Sequence, residues 1–338
     1  MKKIVVIQTA FPGDVILSTP IFEALRDIYP ESRAAAVVRP ESACLLRGNP
    51  NIDDIIPFDK YGGDSDIAGI LKMSSRLRGF DMAIIIQRHL RSALTAFLAG
   101  IPERIGFDNA WGKSLYTQRI EYQAETHEVE RCLALIGVKG SSLKYRPRIY
   151  FDQETLEWAE SVLLKNGVRG DFAIVAPGSV WPTKRYPHYA KVIDLINNKH
   201  DMPVVLVGSS DDAAVSKSIA DSAARATVNL TGQTDLLQSA AIISKARIVI
   251  SNDSAAAHMA AAVNTPVVAI FGPTVPEFGF RPYTEKSAVV DIGKLYCRPC
   301  SKHGSRHCPQ RHFRCMLELG PQKVFAAVEL LLGGRVDK

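Results

Sequence analysis

Ala246-Arg-Ile-Val-Ile-Ser-Asn-Asp-Ser-Ala-Ala-Ala-His-Met-Ala-Ala-Ala-Val263 is the stretch from which the rest of the chain is read. Ala246 to Ile250 form an apolar run of strand length. From His258 onward the residues are alanine-rich, with strong helix propensity. Between them Asn252, Asp253 and Ser254 are all good helix N-caps, so the stretch reads as strand, tight turn, helix. In an open parallel sheet such a turn falls at the carboxyl edge of the strands, where ligands bind. Free N–H groups and the positive end of the helix dipole favour a phosphate there. Any α/β protein owns several such turns, and a plain chain reversal is the alternative.

Strand and helix patterns alternate in both directions from this point. Lys3 to Ile7, Arg33 to Val38, Asp54 to Phe58 and Asp81 to Ile86 read as strands. Pro20 to Tyr29, Ile67 to Leu77 and Ser92 to Ala99 read as helices, the first capped by Thr19 and stopped by Pro30. A second run begins at Phe172 to Ala176. It continues through His188 to Asn197, Pro203 to Val207, Ala213 to Ala224, Ala246 to Ile250 and Pro266 to Phe271, with a closing helix over 321–332. The polar segment from Gly140 to Gly170, with one helix over Glu154 to Asn166, reads as the linker. The fold class is α/β: two doubly wound, Rossmann-like domains, 1–160 and 161–338, expected to face one another across a ligand cleft.

The chain has 338 residues, room for two domains. Its 46% hydrophobic and 22% charged content is that of a soluble globular protein, and no apolar stretch approaches the length of a membrane span. Met1-Lys-Lys-Ile-Val-Val-Ile7 lacks the long apolar region and cleavage site of a signal peptide, so a cytoplasmic location is expected. Six cysteines there argue against a disulfide scaffold, and the isolated Cys44 and Cys132 read as core residues. A net charge of +6 suits an anionic small molecule or an anionic membrane surface.

The turn Gln8-Thr-Ala-Phe-Pro-Gly-Asp14 has one glycine where a dinucleotide fingerprint needs three, which argues against a nicotinamide or flavin dinucleotide. Asp14 reads either as a carboxylate paired with a helix dipole or as a base projecting into the cleft. In the second half, Pro177 to Pro187 follows a strand. There Gly178 and Ser179 permit close backbone approach, while Lys184 and Arg185 bring charge; a solvated basic loop is the plain alternative. Gly208-Ser-Ser-Asp-Asp212 also follows a strand and offers Ser209 and Asp211 to a ribose or base edge. Three such turns in one half favour a nucleotide ligand.

Further residues carry a resemblance. Gly13 to Pro20, Ala99-Gly-Ile-Pro102 with Arg104-Ile-Gly106, Pro177-Gly178 with Lys184 to Pro187, Asn252-Asp253-Ser254 with His258, and Thr265 to Thr274 occur in order. On them the chain resembles glycosyltransferase family 9, the ADP-heptose:lipopolysaccharide heptosyltransferases, and its type II members most. The resemblance implies a GT-B fold. It implies inverting transfer of heptose from ADP-L-glycero-D-manno-heptose to the lipopolysaccharide inner core, with the acceptor in the N-terminal half and the donor in the C-terminal half. It further implies Asp14 as general base, Lys184 as the cation at the diphosphate, and Asp253, Ser254 and His258 as the turn that holds it. Gly13, Gly178, Ser179, Ser209 and Asp211 complete the expected donor set. Ala255 departs from the pattern, because the family usually has glycine there; its methyl leaves a different nucleotide sugar as the alternative donor. With Lys184, His258 and the helix start meeting the charge that grows on the diphosphate, catalysis is expected to need no metal. No Asp-x-Asp motif stands where it would hold one against the diphosphate.

Arg88-His89-Leu-Arg91 is assigned to the acidic acceptor, with a solvated helix start as the alternative. The implied acceptor is a lipid-anchored oligosaccharide, so peripheral contact with the inner membrane through basic residues is expected. Cys297-x2-Cys300-x7-Cys308-x6-Cys315, interleaved with His303, His307 and His312, fits a structural Zn²⁺ site, an iron–sulfur cluster or four reduced thiols. Lys302, Arg306, Arg311 and Arg314 beside it would equally suit a nucleic-acid-binding module. That reading predicts steeply salt-dependent binding, whereas the transferase needs no nucleic acid.

Overall fold

The apolar runs become the strands of two parallel sheets in a computed structural model that describes residues 1–140 and 144–333. The first unit runs β1 (Lys3–Ile7), α1 (Pro12–Ser18), α2 (Pro20–Ile28), β2 (Arg33–Val38), β3 (Asp54–Pro57), α3 (Ile67–Arg76), β4 (Met82–Ile85), α4 (Leu90–Leu98), β5 (Glu103–Phe107), β6 (Gln118–Ile120) and α5 (Glu128–Ala134). Its strand order is β3-β2-β1-β4-β5-β6. Ile4 and Val6 of β1 pack with Ile21, Phe22 and Leu25 on one face of the sheet, and Val5 and Ile7 with Met73, Leu77 and Ala96 on the other. Burial on both faces is why the strands are unbroken apolar runs rather than alternating ones. Each buried aliphatic side chain contributes about 1.5–3 kcal/mol.

The second unit runs α6 (Gln153–Lys165), β7 (Ala173–Ala176), α7 (Tyr189–His200), β8 (Val204–Leu206), α8 (Ala213–Ser222), β9 (Val228–Asn229), α9 (Leu236–Lys245), β10 (Ile248–Asn252), α10 (Ala255–Ala262), β11 (Val267–Ile270), β12 (Ser287–Val290), α11 (Arg314–Leu317) and α12 (Pro321–Gly333). Its order, β12-β11-β10-β7-β8-β9, repeats the first topology. In each sheet the order reverses beside the unit's first strand: Ile7 of β1 lies opposite Ile85 of β4, and Ala176 of β7 opposite Ser251 of β10. At such a switch point the connections leave to opposite faces and open a crevice at the carboxyl ends.

Some expectations need correction. The units divide as Met1–Tyr150 and Phe151–Lys338, not at 160/161, because α6 packs against α9 and belongs wholly to the second. Residues 141–143 of the expected linker lie outside the described residues. Helix begins already at Pro12, and Thr19 does not cap α2 with its side chain; its hydroxyl donates to Ile16 O and accepts from the Arg148 N–H. Strands β5, β6, β9 and β12 were not anticipated: they flank the sheet centres and are short or carry charged residues. Among the described residues no helix is long and apolar enough to cross a membrane.

Candidate active site

Asn252, at the carboxyl end of β10, is fully buried and ties two loops together. Its Nδ2 donates to Pro177 O at 2.7 Å and Gly178 O at 3.2 Å. Its Oδ1 accepts from the Tyr189 hydroxyl at 2.9 Å and the Tyr186 N–H at 3.1 Å. A residue legible only as a potential helix cap is therefore the strut that fixes the Pro177–Pro187 loop to this turn. Ser254 takes the N-cap position, but its hydroxyl pairs with Ser251 Oγ at 3.1 Å and makes no capping hydrogen bond. The N–H groups of Ala255 and Ala256 in the first turn of α10 thus receive no side-chain cap from Ser254. Ala255 itself has helical backbone, so the conformation does not call for glycine; a glycine would only remove a methyl.

Lys184 reaches the same turn from the other loop. Its Nζ lies 2.6 Å from Asp253 Oδ2 and 3.2 Å from Asp253 O, and Thr274 Oγ1 donates to the same carboxylate oxygen at 2.7 Å. Both side chains are largely buried, 12% and 9% exposed. His258 is buried beside them. Burial first, then the Lys184 charge, pushes its pKa down to about 4 against the pull of Asp253. It is therefore neutral at pH 7 and offers an N–H dipole rather than a full charge. Its Nδ1 has no hydrogen-bond partner.

Other donor candidates have structural partners as well. A Cβ on Gly178 would lie 2.3 Å from the Asp212 carboxylate, so the glycine makes room for that side chain. Asp212 accepts from the Ser209 N–H at 3.1 Å and hydroxyl at 2.7 Å, and pairs with Arg185 at 3.4 Å. Ser209, expected at a ribose, closes a capping box before α8, and Asp211 beside it is exposed. Ser179 shapes its own loop, its hydroxyl accepting from the Trp181 N–H at 3.2 Å and its carbonyl from Arg185 Nε at 3.1 Å.

In the first unit, Gly13 is buried and Asp14 half-buried in the first turn of α1, just past β1. Arg88, past β4, lies 4.3 Å over the Tyr122 ring, which also carries the buried Arg131 at 5.0 Å. Arg91 donates to the carbonyls of Asp64, at 2.8 Å, and Ser65, so it fastens the loop before α3. His89 is exposed at the start of α4, its pKa lowered by desolvation and then by Lys60 and Arg88. Arg39 and Lys60 were missed. They follow β2 and β3 and sit 4.8 and 4.9 Å from the Tyr61 ring. Burial, then Arg39 and Arg91, lower the Lys60 pKa against the opposing fields of Asp14 and Glu41. Asp14, Arg39, Lys60, Arg88 and His89 thus belong to one carboxyl edge, and position just past a strand was the signal for all of them. The Asp-x-Asp of the chain, Asp64-Ser65-Asp66, also lies in this unit: Asp66 caps α3 through Gly69 N–H and Asp64 pairs with Lys72.

A model of glycosyltransferase family 9 (heptosyltransferase) matches residues 70–310. The chain belongs to glycosyltransferase family 9. Lipopolysaccharide heptosyltransferase 2 of Escherichia coli strain K12 is 28% identical to it over 357 aligned residues, covering 98% of both chains. Among solved structures, a family 9 glycosyl transferase from Veillonella parvula has a TM-score of 0.87 at 24% identity, covering 98% of this chain and 97% of its own. The E. coli ADP-heptose lps heptosyltransferase II has a TM-score of 0.80 at 24% identity, covering 98% of both. The fold of this family 9 enzyme is that of the GT-B heptosyltransferases.

The four cysteines lie between β12 and the end of α11. Cys300 Sγ turns to Cys297 O at 3.0 Å, Cys297 Sγ faces His312 Nε2 at 3.8 Å, and Cys315 is packed into the apolar core of the second unit. Burial, reinforced by the neighbouring thiols, raises Cys300 and pushes Cys315 up to about 11, so both are protonated at neutral pH. Among the described residues no three Cys, His, Asp or Glu side chains form a group ready to hold a metal ion.

Proposed function

We propose that this family 9 enzyme moves an L-glycero-D-manno-heptosyl group from its ADP derivative to the lipopolysaccharide inner core, inverting the anomeric carbon. The observation that carries the reading is the Lys184–Asp253 pair at the switch point of the second unit, beside the uncapped first turn of α10 and the neutral His258. Such a group suits a diphosphate: one cation, free N–H groups and a neutral imidazole N–H. The relatives named for this reaction align over nearly the full chain.

In the proposed step an acceptor hydroxyl oxygen bonds to the anomeric carbon while the bond from that carbon to the diphosphate oxygen breaks. ADP leaves with the electron pair. Asp14, in the first unit, takes the hydroxyl proton, a role worth about two to four orders of magnitude in rate. Lys184 and the α10 amides stabilise the leaving diphosphate. Arg39, Lys60, Arg88 and His89 hold the anionic acceptor, which is lipid-anchored, so the enzyme works at the cytoplasmic face of the inner membrane. The chain's +6 charge suits that surface.

A second reading keeps the chemistry and changes the sugar nucleotide, because Ala255 puts a methyl where the family usually has glycine. Thermal-shift titration with ADP-heptose and with a panel of other sugar nucleotides separates the two, since a ligand of the native state raises the melting temperature. Stabilisation and turnover with ADP-heptose are expected. A response to another sugar nucleotide alone would overturn the first reading in favour of the second.

A further inference from the structure

The cysteine-rich loop has no part in the reaction as written, yet its first half, residues 298–305, touches the proposed donor site at both ends. Toward one end, Ser305 and Thr183 form a reciprocal pair. The Thr183 N–H donates to Ser305 O at 3.2 Å, the Thr183 hydroxyl donates to the same oxygen at 2.8 Å, and the Ser305 N–H donates to that hydroxyl at 2.8 Å. The residue after Thr183 is Lys184. Gly304, at φ +96°, closes the contact: a Cβ there would lie 2.9 Å from Trp181 Cβ and 3.3 Å from Lys184 Cγ. Only a residue without a side chain lets the loop approach this closely with that backbone.

At the other end, the Cys300 N–H donates to Pro273 O at 3.0 Å, and the Arg298 guanidinium donates to Thr274 O at 3.0 Å. Arg298 is itself nearly fully buried and anchored on Asp291 at 3.0 Å and Gly293 O at 2.6 Å. Thr274 is the residue whose hydroxyl holds Asp253 Oδ2. The loop therefore grips the chain next to the cation and the chain next to its counter-ion.

We propose that residues 298–305 are a brace that positions the Lys184–Asp253 pair for the donor diphosphate, with Thr183 and Gly304 as the positioning residues on the lysine side. The proposal rests on the donor-site reading given above. Thr183 touches no reacting atom; its hydroxyl fixes the backbone from which Lys184 projects. A small displacement of Lys184 weakens its charge-assisted contact with phosphate, because such contacts depend steeply on distance and direction.

The test uses the full-length enzyme with ADP as probe, measured by calorimetry, together with KM for ADP-heptose and for the acceptor. Thr183→Val keeps the volume and removes the hydroxyl. It should weaken ADP binding and raise the donor KM by about three- to tenfold, part of what the two lost hydrogen bonds to Ser305 are worth, with the acceptor KM unchanged. Thr183→Ser should restore both donor values. Lys184→Ala is run beside them. If it loses ADP affinity and Thr183→Val does not, the brace is overturned while the donor site stands. If Lys184→Ala keeps its ADP affinity, the donor-site reading fails. An equal rise in both KM values for Thr183→Val would mark a general structural defect and overturn the positioning role. Should Thr183→Val not fold, Gly304→Ala decides: a selective loss of ADP affinity supports the brace, and unchanged affinity overturns it.

Discussion

Lys184 Nζ lies 2.6 Å from Asp253 Oδ2, and the two side chains are nearly as buried as the core around them. The pair joins the loop after β7 to the turn after β10, so it is part of the fold and of the proposed donor site at once. Removing one member of a buried pair leaves the other charged and unpartnered. Lys184→Ala should therefore destabilise the enzyme by about 3 kcal/mol and weaken ADP by about ten- to a hundredfold, the scale of a charged hydrogen bond. Adding Asp253→Asn should recover much of the stability and none of the affinity. Urea melts and ADP calorimetry on the single and double variants check this; independent, additive effects on stability would show that the pair is not coupled.

His258 makes stability depend on pH in a definite direction. Its folded pKa is about 4, below its unfolded value, because burial opposes the imidazolium. Above about pH 7.5 the group is neutral in both states and contributes no slope. As pH falls from there to about 4, the unfolded chain binds a proton that the folded one refuses, so stability is lost across that window. The loss attributable to this residue approaches about 3 kcal/mol by the low end. Denaturant melts from pH 7 to pH 4 should show a shallower decline for His258→Gln than for the wild type. Parallel declines would mean that His258 is not buried in the neutral form.

Asp14 stands in the first unit, and Lys184, Asp253, Ser254 and His258 in the second. Asp14→Asn keeps the shape and removes the basicity, so kcat should fall by about two to four orders of magnitude. ADP affinity and melting temperature should stay close to wild type. Near-normal turnover would remove Asp14 as the base; lost ADP affinity would move it to the donor site.

The fold was legible wherever burial on both faces forced an unbroken aliphatic run, as in Lys3–Ile7 and Val267–Ile270. It was not legible at Glu103–Phe107 or Val228–Asn229, where the sheet's order supplies what local pattern lacks. The turns proposed to carry chemistry were picked out by position, just past a strand. What their side chains do was not. Gly178 makes room for Asp212 and Asn252 ties the loop after β7 to its own turn, because each partner is distant in sequence and adjacent only once β7, β8 and β10 lie side by side. Ser209 serves Asp212 through a local capping box, which the sequence around it also left unread. The Cys297–Cys315 spacing left zinc, an iron–sulfur cluster and four thiols open, and it did not encode the hydrogen bonds that run from that segment to Thr183, Pro273 and Thr274.

Lys60 shows the tension between stability and binding most directly. Its ammonium is half-buried near Arg39 and Arg91 and, besides its contact with the Tyr61 ring, makes no ion pair or hydrogen bond among the described residues. Desolvation and like charge lower its pKa, so at neutral pH the folded state holds this proton less firmly than the unfolded chain does. On the proposed function, the anion that offsets this cost arrives with the acceptor. Lys60→Met preserves the aliphatic stem over Tyr61 and deletes the charge. It should raise the melting temperature, while the acceptor KM increases by about tenfold at low salt and by less at high salt, where screening already weakens the contact. Donor KM should not move. A lower melting temperature with an unchanged acceptor KM would show instead that Lys60 supports the fold and leaves the acceptor to other residues.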